Sequence, residues 1–250
     1  MHKKLKKLIR YLLRRYGFKL SKIGPYEIFD FESFLYRHLA VHKTLTFLQI
    51  GANDGKMNDP IYDFNIKNKD AVMGYVLEPL SDIYECLVKN YKDCHNIKPF
   101  NLAIHSTESE MYLHRVNPEF TNTVPLFARG IASFDKNHWR KTKLISDEKF
   151  MEEVKVKCIS FTEFINSNSI KHLDLLLLDT EGYDYEILMS IDFKKIKPRI
   201  IRFEHGVRNN IMSPEKFLQV CEYLNSKGYQ IIAESYDATA YHINANDLIF

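Results

Sequence analysis

Glycine is scarce in this chain. Its 250 residues include nine, and no three of them fall into the G-x-G-x-x-G spacing that cradles a dinucleotide pyrophosphate. A G-K-[ST] triplet is also missing, which excludes a Walker A phosphate loop. The four cysteines, Cys86, Cys94, Cys158 and Cys221, make no C-x-x-C pair. Neither a zinc knuckle nor a disulfide framework is indicated, and a reducing cytoplasm is the expected setting. No apolar run reaches the length of a membrane span. Acidic residues are absent from positions 1–26, where nine Lys and Arg gather. The rest of the chain carries 26 basic against 32 acidic residues, so the net charge of +3 belongs to the N-terminus alone. A domain of that sign lacks the basic surface that nucleic-acid binding requires, and nucleic acid is not an expected partner.

Within residues 1–24, Leu5, Leu8, Ile9, Leu12, Leu13 and Tyr16 fall on one face of a helical wheel, with Lys and Arg on the other. The pattern predicts a basic amphipathic helix. Through residues 1–20 it could lie on an anionic membrane surface, at the inner membrane face. The alternative is packing on the domain or on a sister subunit of a homo-oligomer. Gly24-Pro25 ends it, and residues 25–250 read as one domain. Hydrophobic residues make up 45% of the chain, enough for a sizeable core.

Short apolar runs at 46–50, 74–77, 97–103, 173–178 and 199–203 alternate with helical patterns at 79–91, 183–191 and 214–227, and Asp59-Pro60 fits a further helix start. Runs at 231–233 and 247–250 read as closing antiparallel strands. This alternation implies a doubly wound, mostly parallel α/β sheet. Residues 105–158 are less regular and read as an insertion over the ligand face.

The first run stops at Gly51-Ala52-Asn53-Asp54-Gly55, and the second ends in Glu78. A strand closing on a glycine turn lets backbone approach a ligand. A carboxylate ending the neighbouring strand can accept hydrogen bonds from ribose hydroxyls. Without a pyrophosphate fingerprint, S-adenosylmethionine suits the pair better than a dinucleotide. Gln49, Asn53 and Asp54 could engage the charged groups of its tail. Asn53 and Asp54 could equally do no more than stabilise the turn.

The chain resembles the FkbM-type family of S-adenosylmethionine-dependent methyltransferases over roughly residues 45–206. The matching segments are Leu48-Gln49-Ile50-Gly51-Ala52-Asn53-Asp54-Gly55, Leu77-Glu78-Pro79, Asn101-Leu102-Ala103-Ile104 and Gly130-Ile131-Ala132-Ser133-Phe134. The run from Asp174 to Leu188, with Leu178-Asp179-Thr180-Glu181-Gly182-Tyr183-Asp184-Tyr185-Glu186 at its centre, is the most specific, and Pro198 to His205 follows it. The resemblance implies a Rossmann-like class I methyltransferase fold with antiparallel C-terminal strands. It also implies O-methylation of a sugar or other secondary metabolite, such as a surface polysaccharide precursor, with a small-molecule or sugar-nucleotide acceptor. Carried over position by position, the cofactor site is Gln49, Gly51, Ala52, Asn53, Asp54, Gly55, Glu78, Pro79, Ala103 and Asp179.

Ligands in open α/β sheets lie at the carboxyl ends of the strands, where Glu78, Asp179, Glu181, Glu204 and His205 are expected. A hydroxyl acceptor needs a base, and His205 is the first candidate, with His138 the second. Asp179 and Glu181 could orient the hydroxyl or hold a divalent ion, and no metal is assigned. The competing readings are local: a hydrogen-bonded loop residue for His205, a surface residue for His138, a helix cap for Glu181, and solvent-facing positions for Asp184 and Glu186. Tyr183 and Tyr185 could line the pocket or pack in the core. Two other functions stay open, an NAD-dependent oxidoreductase and a non-catalytic cofactor-binding partner subunit. The missing third glycine counts against the first, and several strand-end acids count against the second, since unpaired buried carboxylates are costly without a role.

Overall fold

The computed structural model describes residues 29–120, 124–125, 128, 130–142 and 144–242. The helix expected in 1–24 and the strand expected at 247–250 lie outside the described residues. The chain opens with α1 (Phe31–His42), whose N-cap Asp30 accepts the Ser33 amide. It continues through β1 (Leu45–Ile50), α2 (Tyr62–Lys67), β2 (Val72–Leu77), α3 (Ser81–Asn90), β3 (Ile97–Phe100), β4 (Ala103–Ile104) and β5 (Glu110–Val116). Next come β6 (Ala132–Ser133), α4 (His138–Thr142), β7 (Met151–Ile159), α5 (Phe161–Ser167), β8 (Leu175–Leu178), α6 (Asp184–Ser190) and β9 (Ile200–Glu204). The last elements are α7 (Pro214–Ser226), β10 (Gln230–Ala233) and β11 (Asp237–Tyr241).

Seven strands form the main sheet in the order β10-β11-β9-β8-β1-β2-β3. All run parallel except β11, which pairs antiparallel with both β9 and β10. The sheet closes antiparallel as expected, but the reversed strand is β11 at Asp237–Tyr241, which the sequence reading did not mark. Central strands such as Leu175–Leu178 are apolar throughout because both sheet faces are covered. Leu48, Ile50, Leu176, Leu178 and Phe203 face Phe164 of α5, Leu188 of α6 and Val220 of α7. The alternate residues Leu45, Phe47, Leu175 and Leu177 face Leu35 of α1, Phe64 of α2 and Leu87 of α3. Each such side chain is almost wholly buried, and full burial contributes roughly 1.5–3 kcal/mol per residue.

The irregular reading of 105–158 is corrected. β4-β7-β5-β6 form a second sheet, with β5 and β7 paired antiparallel over seven residues. Its signal is the alternation Val154, Val156, Cys158 against Lys155, Lys157, the pattern of a strand with one wet face. Leu113, Val156 and Cys158 pack on Leu80, Ile83 and Ala103 beside the end of β2. Arg115 of β5 forks onto Asp82 of α3 and ties the two sheets together.

Candidate active site

Strand register builds the site. Ile50 pairs with Leu77 and with Leu178, and Leu178 pairs with Phe203. The residues that follow these four, Gly51, Glu78, Asp179 and Glu204, therefore leave the sheet level with one another. Gly51 has φ +81°, and a Cβ there would collide with the Asp179 carbonyl. A glycine at this position lets the ends of β1 and β8 close together, so the turn serves the protein's own packing first. The Gly51 and Ala52 amides both donate to the Leu77 carbonyl, at 3.1 and 2.9 Å.

A cavity of about 310 Å³ opens over these strand ends. Of the expected cofactor residues, Gln49, Gly51, Ala52, Asn53, Glu78, Pro79, Ala103 and Asp179 line it. Glu78 is 6% exposed, and its Oε1 accepts the Leu80 amide at 2.9 Å. Burial pushes its carboxyl up to about 7, with the Leu80 and Asn53 amides opposing the rise. Beside it, Leu80, Ile83, Ala103 and Leu113 form an apolar wall.

Asp54 and Gly55 are not on the cavity wall, which corrects their assignment to the ligand. Asp54 Oδ1 takes the Lys56 and Met57 amides at 2.8 and 2.7 Å and so shapes the turn. Gly55 lies against Leu87 and Tyr91. Asn53, at φ +49°, does both jobs: its Oδ1 accepts the Asp54 amide while the residue faces the cavity.

Asp179, Thr180, Glu181, Tyr183 and Glu204 form the opposite wall. Asp179 lines the cavity and is an exposed residue. Loss of bulk water and repulsion from Glu181 and Asp184 raise its carboxyl well above the usual range. Glu204 is pushed up to about 10 by burial and by Asp179 and Glu181, and its Oε2 has no hydrogen-bond partner among the described residues. Two contacts from the second sheet's segment hold Glu181, which sits at φ +52°. Ser133 Oγ donates to its carbonyl at 2.7 Å, and His138 Nε2 lies 2.7 Å from its Oε2. Glu181 is therefore no cap for α6.

The two histidines exchange places relative to expectation. His138 is 2% exposed, on α4, and bound to Glu181 rather than to solvent. His205 is not on the cavity wall. Its ring stacks on Phe217 at 4.4 Å, its Nε2 donates to the Glu234 carbonyl at 3.2 Å, and its Nδ1 accepts the Val207 amide at 3.3 Å. Both nitrogens are spent on backbone groups and the ring lies off the cavity wall, which counts against His205 as the base. Asp184 is also corrected. It is fully buried and takes the Thr180 amide, the Thr180 hydroxyl and the Glu204 amide. Tyr183 lines the cavity, stacked on His105. Tyr185 lies outside it, with its hydroxyl on Gln219.

Asp59 is a titratable wall residue that the sequence reading did not assign to the site. It was legible only as the start of α2, whose first amides it does accept. A Tyr-x-x-x-Lys spacing of the kind nicotinamide enzymes use occurs at Tyr223–Lys227, but on the far side of α7, with the Tyr223 hydroxyl on the Ile191 carbonyl. Among the described residues, no group of three His, Cys, Asp or Glu is placed to hold a metal ion, and no helix is long and apolar enough to cross a membrane.

The order β3-β2-β1-β8-β9-β11-β10, with β11 alone reversed and a cavity over the ends of β1, β2 and β8, defines a Rossmann-like class I methyltransferase. The methyltransferase FkbM domain matches residues 49–231, and the chain belongs to that family. No curated protein matches the chain. Among solved structures it is similar to a putative caffeoyl-CoA O-methyltransferase from Staphylococcus aureus, at 12% identity and TM-score 0.49, over 96% of this chain and 98% of that one. It is also similar to an O-methyltransferase from Bacillus cereus in complex with SAH, at 9% identity and TM-score 0.43, over 96% and 91%. A fibrillarin pre-rRNA processing protein from Methanococcus jannaschii matches at 13% identity and TM-score 0.41, over 80% and 66%.

Proposed function

We propose that this methyltransferase transfers the methyl group of S-adenosylmethionine to a hydroxyl of a sugar or glycan precursor. The observation that carries the reading is the level end of the sheet, which brings Glu78 and the Asp179–Glu181 pair into one cavity. The residues present suit the donor. Glu78 can accept two ribose hydroxyls, the apolar wall of Leu80, Ile83, Ala103 and Leu113 suits an adenine, and the acidic lining suits a cationic ligand. S-adenosylmethionine supplies, when bound, an electrophilic methyl group on a sulfonium.

What remains for the protein is to position the acceptor and take up its proton. Asp179, whose carboxyl is held above the usual range, is the proposed base. Glu181, fixed by His138 and Ser133, orients the hydroxyl toward it. Tyr183 and Phe134, edge to face at 5.1 Å, offer an aromatic surface to a sugar ring. The basic residues 1–20 are proposed to bring the enzyme to an anionic inner membrane face, where surface glycans are assembled. Deleting residues 1–22 should then lower its recovery with membranes.

The test is a methyl-transfer assay with labelled S-adenosylmethionine across nucleotide sugars and glycan precursors, paired with calorimetry. S-adenosylhomocysteine should bind and NAD should not. Tight NAD binding without S-adenosylhomocysteine binding would overturn the reading in favour of an oxidoreductase. Tight S-adenosylhomocysteine binding with no transfer to any acceptor would favour a non-catalytic subunit.

A further inference from the structure

The two ends of the main sheet carry opposite charge. Each covering helix returns the chain to the amino end before the next parallel strand begins. The turns at 43–44, 68–71, 91–96, 168–174, 191–199 and 227–229 therefore gather at that end. Lys43, Lys69, Lys92 and Lys171 stand exposed in four of them, and Lys194, Lys195 and Lys197 in a fifth. The exposed acids of the same turns are Asp70, Asp93 and Asp192. The carboxyl end holds the cavity with Glu78, Asp179, Glu181 and Glu204 on its wall. The acidic balance of the domain as a whole hides this polarity.

Helix C-termini attract cations, and Lys43 meets that need, with its Nζ on the Ala40 carbonyl at 2.7 Å. Lys195 reaches Asp192 at 3.9 Å. Lys69, Lys92, Lys171 and Lys194 have no ion-pair partner among the described residues. Apolar side chains stand among these lysines. Val41, Ile66, Val88 and Met189, in the last turns of α1, α2, α3 and α6, and Met73 near the start of β2 are each 38–45% exposed. Phosphate backbones call for cations with polar or stacking aromatic groups. A lipid surface takes cations against its headgroups and apolar side chains between them.

We infer that the amino end of the sheet docks on an anionic phospholipid surface, with the cavity turned toward water. The assignment rests on the membrane reading of residues 1–20 above and adds an orientation to it. The strands set the two ends roughly 20 Å apart, so an acceptor dissolved in water reaches the cavity while the enzyme is docked.

Cosedimentation of the full chain with phosphatidylcholine–phosphatidylserine vesicles tests it, beside hydrogen exchange of the same mixture. The unmodified protein should bind, and added salt should weaken it. Lys69→Glu, Lys92→Glu, Lys171→Glu and Lys194→Glu combined should weaken binding by about tenfold or more, with residues 1–22 intact. Lys56→Glu with Arg208→Glu, exposed at the cavity end, should leave binding within about twofold. In the unmodified protein, vesicles should protect the amides of 68–71 and 191–199 and leave those of 205–211 unchanged, a result that stands even if the fourfold variant does not fold. Unchanged binding by a folded fourfold variant overturns the docking face alone, because residues 1–20 would still hold the protein to the vesicle. Protection of 205–211 in place of the amino-end turns also overturns it and sets the cavity against the bilayer. Binding to single-stranded RNA without vesicle binding, lost in the fourfold variant, overturns it in favour of nucleic acid. No vesicle binding by the unmodified chain overturns the membrane reading of residues 1–20 together with this face.

Discussion

One strand is bracketed by two aspartates with opposite fates. Asp174, just before β8, is 4% exposed and surrounded by partners. His172 Nε2 lies at 2.7 Å, His38 Nε2 at 3.3 Å and Arg199 Nε at 3.4 Å, and the Thr46 amide donates at 2.8 Å. Burial alone would raise its pKa, but His38, the Thr46 amide and His172 outweigh it and hold the carboxyl at about 2. Asp179, just after β8, has no such partners among the described residues. It faces Glu181, Asp184 and Glu204, and its carboxyl is raised well above the usual range. The partners differ: Asp174 meets cations and an amide, whereas Asp179 meets other carboxylates. The amino end of the strand is built for stability, and the carboxyl end keeps unspent capacity to exchange a proton.

The largest break in this symmetry should come from Asp179→Asn. Turnover should fall by about 10²–10⁴-fold with folding intact, read by steady-state kinetics beside thermal unfolding. A loss under tenfold would remove Asp179 as the base. The mirror substitution, Asp174→Ala, should cost roughly 3 kcal/mol of stability in urea titration, because it strips a buried ion cluster of its anion. The same group predicts an acid limit. Its depressed pKa gives about 2 kcal/mol that is fully present above pH about 4 and lost as pH falls through about 2.

Glu204→Gln should act in the opposite sense. A carboxyl held near 10 destabilises the fold progressively as pH rises above its unfolded value. Removing the charge should therefore raise the Tm at pH 8 by roughly 3 °C or more, and calorimetric scans at pH 4 should show the gap closing. The smallest effect belongs to His205→Asn. Turnover per folded molecule should stay within about threefold, against the loss of two orders or more expected of a missing base.

Much of the cavity wall at the ends of β1 and β2 was legible in the sequence because it is contiguous. Gly51 and Glu78 each directly follow an apolar run, and the parallel register then sets them side by side. Which of Glu204 and His205 faces the cavity was not legible, because they are neighbours with equal chemical promise. Side chains at a strand end alternate between faces, so one enters the cavity and the other stacks on α7. Asp184 was misplaced for a related reason. Helical spacing says which residues share a face, but at the first residue of α6 the side chain turns back to bind the Thr180 and Glu204 amides. The second sheet was hidden by the long connection between β5 and β7, although Val154, Val156 and Cys158 alternate as a strand should.

Ser133 and His138 sit in the segment whose Gly130, Ile131, Ala132 and Phe134 line the cavity, yet both close on Glu181, which follows β8. On the proposed reading, the segment that contacts the acceptor is also the splint of the residue that orients it. Grafting this segment from another member of the family should then change the acceptor and unfasten that glutamate in the same operation. A transplant that keeps a hydroxyl at 133 and an imidazole at 138 retains the splint, and the two positions mark where specificity can be exchanged without dismantling the chemistry beneath it.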